Sequence, residues 1–498
     1  MQETGKKIIY TILSLYILFG LSLLYWVVIY SGSGDGDTLE HVHSSWLVYH
    51  GNIPYKDFFQ HHNPLLWYVG APFVGMYEYT LRAVDAVNLL TVTVTGVTVF
   101  YVYRLHKNFL TNALGGLIAS AFCLLPQDSL YNKDFKPDNY MTACLVIGIY
   151  YLLSHVKTKK LLDICISFLF FFAAFMFTQK AILILFFIGV ITIYLIYNHQ
   201  IKFKDSIQGA ILPILIYLVF LTFLYSKDIL TFYFRANFEL NAHISAVFDV
   251  RRFITPSPEM LVPIFLSFYA LLGVSRENMA VKIVSMIFIA EFWIRMYYFN
   301  PFIYYFAFLH VIASVMAGIA AVKLTKKYKY AVWLFLIYFL CLGGFYAEKY
   351  SKRITVGDSY KYGAAGFVLE NTNPCDYVVN GYRIGYNLFN KDVDFIWNLK
   401  GQIDVIAATI GLRPLSDLES LIRKYRPKII YGGNYYDTYR EYRGEIGKYP
   451  IHWVSKHLLE ERYTPLHRDD LYILKPEYQS YDCRYNQQTK SYEYQDKH

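Results

Sequence analysis

Leu161–Asn198 reads LLDICISFLFFFAAFMFTQKAILILFFIGVITIYLIYN. As a single helix this stretch would reach about 57 Å, against a bilayer hydrocarbon core of about 30 Å. The polar triplet Thr178-Gln179-Lys180 falls near its middle, so the stretch folds back as two helices that cross in opposite directions. Lys157, Lys159 and Lys160 precede it, and Lys202 and Lys204 follow it. Basic residues gather on the cytoplasmic side of membrane proteins, so the turn that carries Lys180 faces outward.

The same pattern extends in both directions. Lys6 and Lys7 precede the apolar segment Ile8–Tyr30 and place the N-terminus in the cytoplasm. That segment is too long for a signal-peptide core and lacks a small-residue cleavage site, so it is retained. Further spans are predicted at about 83–103, 114–125, 140–154, 206–225, 258–274, 280–297, 301–322 and 330–346. Arg104, His106 and Lys107, and later Lys323, Lys326, Lys327 and Lys329, mark cytoplasmic turns. Residues 64–79 read as interfacial or re-entrant, because a crossing there would invert every later loop. The count is about eleven spans, with outer loops at 31–82, 126–139 and 226–257 and the C-terminus outside.

Composition agrees with this reading. With 55% hydrophobic and only 17% charged residues, the chain is not an ordinary soluble protein. Its apolar runs lack the alternation of a barrel. The net charge of +9 is scattered through short loops, which excludes a nucleic-acid-binding face. The expected fold is a polytopic α-helical membrane module over residues 1–346. A C-terminal soluble α/β domain follows over 347–476, and a polar, disordered tail over 477–498. Tyr377-Val378-Val379, Lys428–Tyr431 and Leu471–Leu474 read as strands of that domain, and Asp417–Lys424 as an amphipathic helix. Cys123, Cys144, Cys165 and Cys341 lie in apolar segments as packing residues; Cys375 and Cys483 lie in the polar part and are able to pair in an oxidising compartment.

Acids and histidines concentrate in the first outer loop, in Asp35-Gly36-Asp37-Thr38-Leu39-Glu40-His41 and in Asp57-Phe58-Phe59-Gln60-His61-His62-Asn63-Pro64. Leu39, Val42, Trp46 and Tyr49 recur at helical spacing until Gly51-Asn52-Ile53-Pro54, which predicts a short amphipathic helix lying in the membrane interface. Three further ionisable clusters fall on the same side: Lys133–Asp138, Lys180, and residues 235–252 with Arg251 and Arg252. Carboxylates beside cations at a membrane surface suit transfer of a sugar from a polyprenyl-phosphate donor. A carboxylate takes the acceptor's proton, and ammonium or guanidinium groups stabilise the departing phosphate.

The motifs of this loop resemble a known family. Asp37, Glu40-His41, Trp46, Gly51, Pro54–Phe59 and His61-His62-Asn63-Pro64-Leu65 are similar to the first-loop signature of bacterial GT-C membrane glycosyltransferases, relatives of protein mannosyltransferases and of the lipid A aminoarabinose transferase. Lys136-Pro137-Asp138 resembles their second-loop element, and Thr178-Gln179-Lys180 their short lysine turn. The resemblance implies an inverting transfer with weak or no metal dependence and a first-loop Asp as base. That Asp maps onto Asp37, with Glu40 and His41 orienting and Lys136 and Lys180 holding the donor phosphate. Asp35, Asp57, His61, His62 and Asp138 then shape the substrate pocket. Many relatives carry Asp-Glu where this chain has Asp37-Thr38, which makes Asp35 a rival second acid.

Other readings stand beside these. Asp37 with Glu40 three residues on is also a helix cap with its capping-box partner. The sequence establishes no cofactor, and Asp35 and Asp37 are able to hold a divalent cation. The spacing of His41, His43, His50, His61 and His62 matches no zinc site. Lys136 and Lys180 also fit a snorkelling role. The alternative function is a lipid-linked glycan transporter or a non-catalytic glycan-binding membrane protein. A transporter would place ionisable groups near mid-membrane, whereas here they gather at helix ends. The partners expected are therefore a polyprenyl-phosphate sugar, a lipid, glycan or protein acceptor, and the bilayer of the cytoplasmic membrane.

Overall fold

The computed structural model describes residues 3–31, 36–124, 133–243, 258–297, 306–328, 330–356, 359–380, 387–397, 403–431, 456–466, 471–479, 481–486 and 491–496. Its helices begin with α1 (Glu3–Ser31), α2 (Gly36–Tyr49), α3 (Leu65–Met76), α4 (Arg82–Leu105), α5 (Ala113–Cys123) and α6 (Pro137–Thr158). They continue with α7 (Leu161–Phe177), α8 (Ala181–Tyr197), α9 (Phe203–Ser226), α10 (Leu230–Phe234), α11 (Pro258–Leu271) and α12 (Met279–Tyr297). Then come α13 (Ala307–Lys327), α14 (Ala331–Val356), α15 (Ser359–Asn371), α16 (Ile403–Thr409), α17 (Leu418–Tyr425) and α18 (Lys456–Arg462). The strands are β1 (Val378–Val379), β2 (Ile429–Tyr431), β3 (Tyr463–Pro465), β4 (Leu471–Leu474), β5 (Tyr481–Asn486) and β6 (Ser491–Asp496). The chain divides into two compact units.

The first unit comprises Met1–Gly32, Asn88–Phe223 and Phe248–Gly357. Its centre is α13, which is buried continuously from Phe308 to Val322 and packs against α5, α11 and α12. Glycine allows the closest approach: a Cβ on Gly318 would stand 2.6 Å from the Gly115 carbonyl oxygen and 2.7 Å from the His106 ring. Small residues let apolar helices meet backbone to backbone in this way. At the rim, α9 leaves Ile211, Leu215, Leu218 and Val219 exposed, as a lipid-facing helix does.

Six described helices are long and apolar enough to cross a membrane: Thr4–Tyr30, Arg82–Leu110, Pro137–Thr158, Phe203–Ser226, Ala307–Lys327 and Ala331–Ser351. The remaining expected spans are also helical. Four are shorter apolar helices (Ala113–Cys123, Leu161–Phe177, Ala181–Tyr197 and Met260–Leu271); the last is α12, which carries Lys282, Glu291 and Arg295. The break at Thr178-Gln179-Lys180 lies where expected, between α7 and α8.

The second unit comprises Ser33–Val87, Leu224–Val247 and Asp358–His498. Its sheet has the order β1-β2-β4-β3. β1 and β2 are parallel with Val378 beside Ile429; β4 lies antiparallel to β2 and β3. Val379, Ile422, Ile430, Leu458 and Leu474 form the core over this sheet. Asp417 caps α17 by accepting from the Ser420 N–H at 3.1 Å, which fixes the start of the helix its sequence position suggests.

Four expectations change. Ten successive residues of α2, Thr38–Leu47, are buried, so it is an enclosed helix rather than an amphipathic one lying in the interface. Residues 230–240 of the third outer loop are helical, with α10 running into a π-helical turn at Arg235–Leu240; the Arg235–Glu239 pair at 2.7 Å supports that turn one step apart on the helix. α14 continues ten residues past 346, to Val356. The 477–498 tail carries an antiparallel hairpin, β5–β6, that pairs Tyr481 with Asp496 and Asn486 with Ser491. Alternation of Tyr481, Cys483 and Tyr485 against Tyr492 and Tyr494 is the period-two pattern of a strand, hidden beneath a polar average.

Candidate functional site

The second unit holds the first-loop residues. Asp37 lies in the first turn of α2, where backbone N–H groups favour a carboxylate. The helix begins at Gly36, so Asp37 is inside it rather than at the cap. Asp37 is half-buried, whereas Glu40 and His41 are 4% and 3% exposed. Glu40 Oε1 accepts from Gln60 Nε2 at 3.2 Å, and the same amide donates to Ser44 Oγ at 2.7 Å. The Trp67 indole N–H donates to His41 Nδ1 at 3.2 Å, which leaves Nε2 as the protonated nitrogen of a neutral ring.

The returning strand of the loop is bound to the same helix. The His62 ring lies tilted near those of His41 and His61, with centroids 6.0 and 4.3 Å apart. α10 and the π-turn after it clamp this return: Tyr233 donates to Asn63 Oδ1 at 2.8 Å, and Asn241 donates to the His61 carbonyl at 2.7 Å. The structure therefore gathers Glu40, His41, His61 and His62 around Gln60 and Trp67. Asp57 stands apart. It is exposed, and its Oδ2 accepts from the Ile53 N–H at 2.7 Å, closing the turn in which Tyr55 holds a φ of 70°. This bond gives Asp57 a turn-forming role. Asp35, Arg251 and Arg252 lie outside the described residues, and with Asp35 the divalent-ion reading of Asp35 and Asp37. Among the described residues no group of three or more His, Cys, Asp or Glu side chains is arranged to hold a metal ion.

His43 is a structural anchor whose partners are far away in sequence. Its Nδ1–H donates to the Leu388 carbonyl at 3.1 Å, and Nε2 accepts from the Asn387 amide at 3.2 Å. Asn387 accepts in turn from Asn380, and Asn390 joins Asn373, Asp376 and Thr372. Burial lowers the His43 pKa from 6.5 to about 4, against the backbone hydrogen bonds from Leu388 and Asn387 that favour the cation. The unfolded chain therefore binds a proton below pH 6.5 that the folded chain refuses until about pH 4. Stability falls as the pH drops through that window, by about 3 kcal/mol in full. Thermal unfolding of the detergent-solubilised chain between pH 7 and 4.5 should show this loss, and His43→Gln should have a shallower pH slope. Equal slopes would refute the assignment.

The first unit holds the lysines. Lys136 precedes α6 in extended conformation, Pro137 occupies its first turn and Asp138 follows, a favoured helix start. Lys180 immediately precedes α8, and its Nζ lies 3.6 Å from Asp138 Oδ1. Lys133, which sequence reasoning did not single out, pairs with Asp134 at 3.0 Å; the two side chains are 1% and 4% exposed. The segment is held by its backbone: Asn88 Oδ1 accepts from Phe135 N–H at 3.1 Å, and the Asp134 carbonyl accepts from Lys136 N–H and from the Asn139 amide at 2.8 and 2.9 Å. Lys133 thus lies against Asp134 and Lys180 against Asp138, with Lys136 buried between Asp134 and Asp138 in sequence.

This bundle of apolar helices and its loop unit define the class: the chain is a polytopic helical membrane protein with the GT-C fold. Residues 80–225, which include the lysine cluster, match the family model described as dolichyl-phosphate-mannose-protein mannosyltransferase. The chain is similar to ArnT from Cupriavidus metallidurans bound to undecaprenyl phosphate, with a TM-score of 0.59 and 12% identity over 86% of this chain and 93% of that one. It is also similar to the oligosaccharyltransferase of Archaeoglobus fulgidus in its apo form, with a TM-score of 0.55 and 13% identity over 86% of this chain and 70% of that one. The archaeal enzyme AglB from the same organism, in complex with an inhibitory peptide and a dolichol-phosphate, gives a TM-score of 0.52 at 12% identity, covering 86% of this chain and 70% of that one. No curated protein sequence matches the chain.

Proposed function

We propose that this protein is an inverting membrane glycosyltransferase that moves a sugar from a polyprenyl-phosphate donor to a lipid, glycan or protein acceptor on the outer face of the cytoplasmic membrane. The observation that carries the reading is the cluster of Lys133, Lys136 and Lys180 against Asp134 and Asp138, beside apolar helices and inside the segment that matches the mannosyltransferase model. Lys136 and Lys180 hold the donor phosphate. Asp37 takes the proton of the acceptor hydroxyl as its oxygen bonds to the anomeric carbon. The carbon–oxygen bond to phosphate breaks, and polyprenyl phosphate leaves as the anion. In the second unit Glu40 and His41, held by Gln60 and Trp67, are the orienting groups and His61 and His62 shape the acceptor entrance; in the first unit Asp138 lies 3.6 Å from Lys180.

The ligands of similar structures support this donor class, since ArnT is bound to undecaprenyl phosphate and AglB is in complex with a dolichol-phosphate. Lysine and arginine placement supports a cytoplasmic N-terminus and an outside second unit. Cys375 is disulfide-bonded, which fits an oxidising compartment. The test is purified protein in liposomes with radiolabelled polyprenyl-phosphate sugars and a membrane extract as acceptor. Label should move from the donor to an acceptor of different mobility. Movement of intact lipid-linked sugar across the bilayer, with no change in its chemistry, would establish a transporter instead.

A further inference from the structure

α12 carries two charged residues one turn apart within a helix that is otherwise apolar along this part. Glu291 is wholly buried and Arg295 is 9% exposed. Arg295 Nε donates to Glu291 Oε1 at 2.5 Å. That bond uses one of the guanidinium's five N–H donors and one of the carboxylate's two oxygens. Among the described residues, the buried Glu291 Oε2 has no hydrogen-bond partner and Arg295 has none besides Glu291. Ionisable groups inside a membrane helix bundle mark substrate contacts more often than packing, because an apolar pair would fill the same space at less cost.

We propose that Glu291 and Arg295 form the subsite that recognises the hydroxyls of the donor sugar, an inference that rests on the glycosyltransferase reading above. The pair is neutral overall, so it adds no net attraction for a phosphate; the lysine cluster serves that part of the donor. What remains unused is a buried acceptor, Oε2, beside the terminal nitrogens of a guanidinium. An uncharged ligand that satisfies both must donate and accept at neighbouring positions, as the hydroxyls of a sugar do. α12 packs against α8, the helix that Lys180 precedes, so the pair belongs to the same set of helices as the phosphate-binding lysines.

The experiment uses the full chain in nanodiscs with polyprenyl-phosphate mannose, glucose, galactose and arabinose, and with sugar-free polyprenyl phosphate. Phenylglyoxal modification of Arg295 is read by peptide mass spectrometry on the wild-type protein, so that folding of a variant is not at issue. The donor from which transfer occurs should block modification, and the sugar-free lipid should not. Equal protection by both assigns the pair to phosphate and overturns the proposal. Transfer without protection overturns it too. Absence of transfer from every donor, with no protection, is the failure of the glycosyltransferase reading itself, and the proposal falls with it. In parallel, Glu291→Gln should lower the preference for the transferred sugar over its competitors by about 10- to 100-fold, with binding of the sugar-free lipid unchanged. Equal loss for the sugar-free lipid would again assign the pair to phosphate.

Discussion

Replacing Asp37 by Asn should cut sugar transfer by about 10²–10⁴-fold, the usual contribution of a general base, and leave binding of polyprenyl phosphate intact. The substitution keeps the shape of the side chain in the first turn of α2 and removes only its capacity to take a proton. Of the two acids on that turn and the next, Glu40 is enclosed and its Oε1 accepts from Gln60, whereas Asp37 is half-buried. Glu40→Gln should therefore cost much less than Asp37→Asn. Steady-state transfer in membranes with labelled donor, together with direct binding of the lipid phosphate, separates the roles. Undiminished transfer by Asp37→Asn would remove the proposed base, and loss of lipid binding would show that the residue acts in donor capture.

The sequence was most informative where a feature is local. Hydrophobic runs and the lysines around them located the helices, and the triplet at 178–180 located a turn, because neither depends on distant partners. Asp417 announced its helix for the same reason: an N-cap acts on the N–H three residues away. α2 misled because its polar side chains look solvent-facing. Glu40, Ser44 and His43 are satisfied instead by Gln60, Asn387 and Leu388, which are 16 to 345 residues distant. The helix at 230–240 was obscured by its charges, although Arg235 and Glu239 sit at the spacing of a helical ion pair. In the 133–138 cluster, attention fell on Lys136 and Asp138 as a recognisable motif. Nothing in Lys133-Asp134 announces that both would be buried.

That buried pair should give the largest stability effect in the first unit. Lys133→Met removes the ammonium 3.0 Å from the Asp134 carboxylate, which is only 4% exposed. Breaking a buried ion pair by removing one member costs about 3–5 kcal/mol, whereas replacing both by apolar groups of similar volume is close to neutral. Lys133→Met should therefore lower the thermal midpoint of the solubilised protein sharply, and Lys133→Met with Asp134→Leu should recover most of it. Charge makes the same comparison informative about function. The single substitution removes one positive charge beside Lys136 and Asp138, whereas the double substitution removes one charge of each sign and leaves the net charge unchanged. Donor affinity should fall in the single variant and return in the double one, because the attraction for the departing phosphate depends on net charge rather than on which lysine supplies it. A single variant as stable as the double would show that the carboxylate does not depend on Lys133. A double variant that is stable but binds donor no better than the single would show that Lys133 touches the phosphate itself.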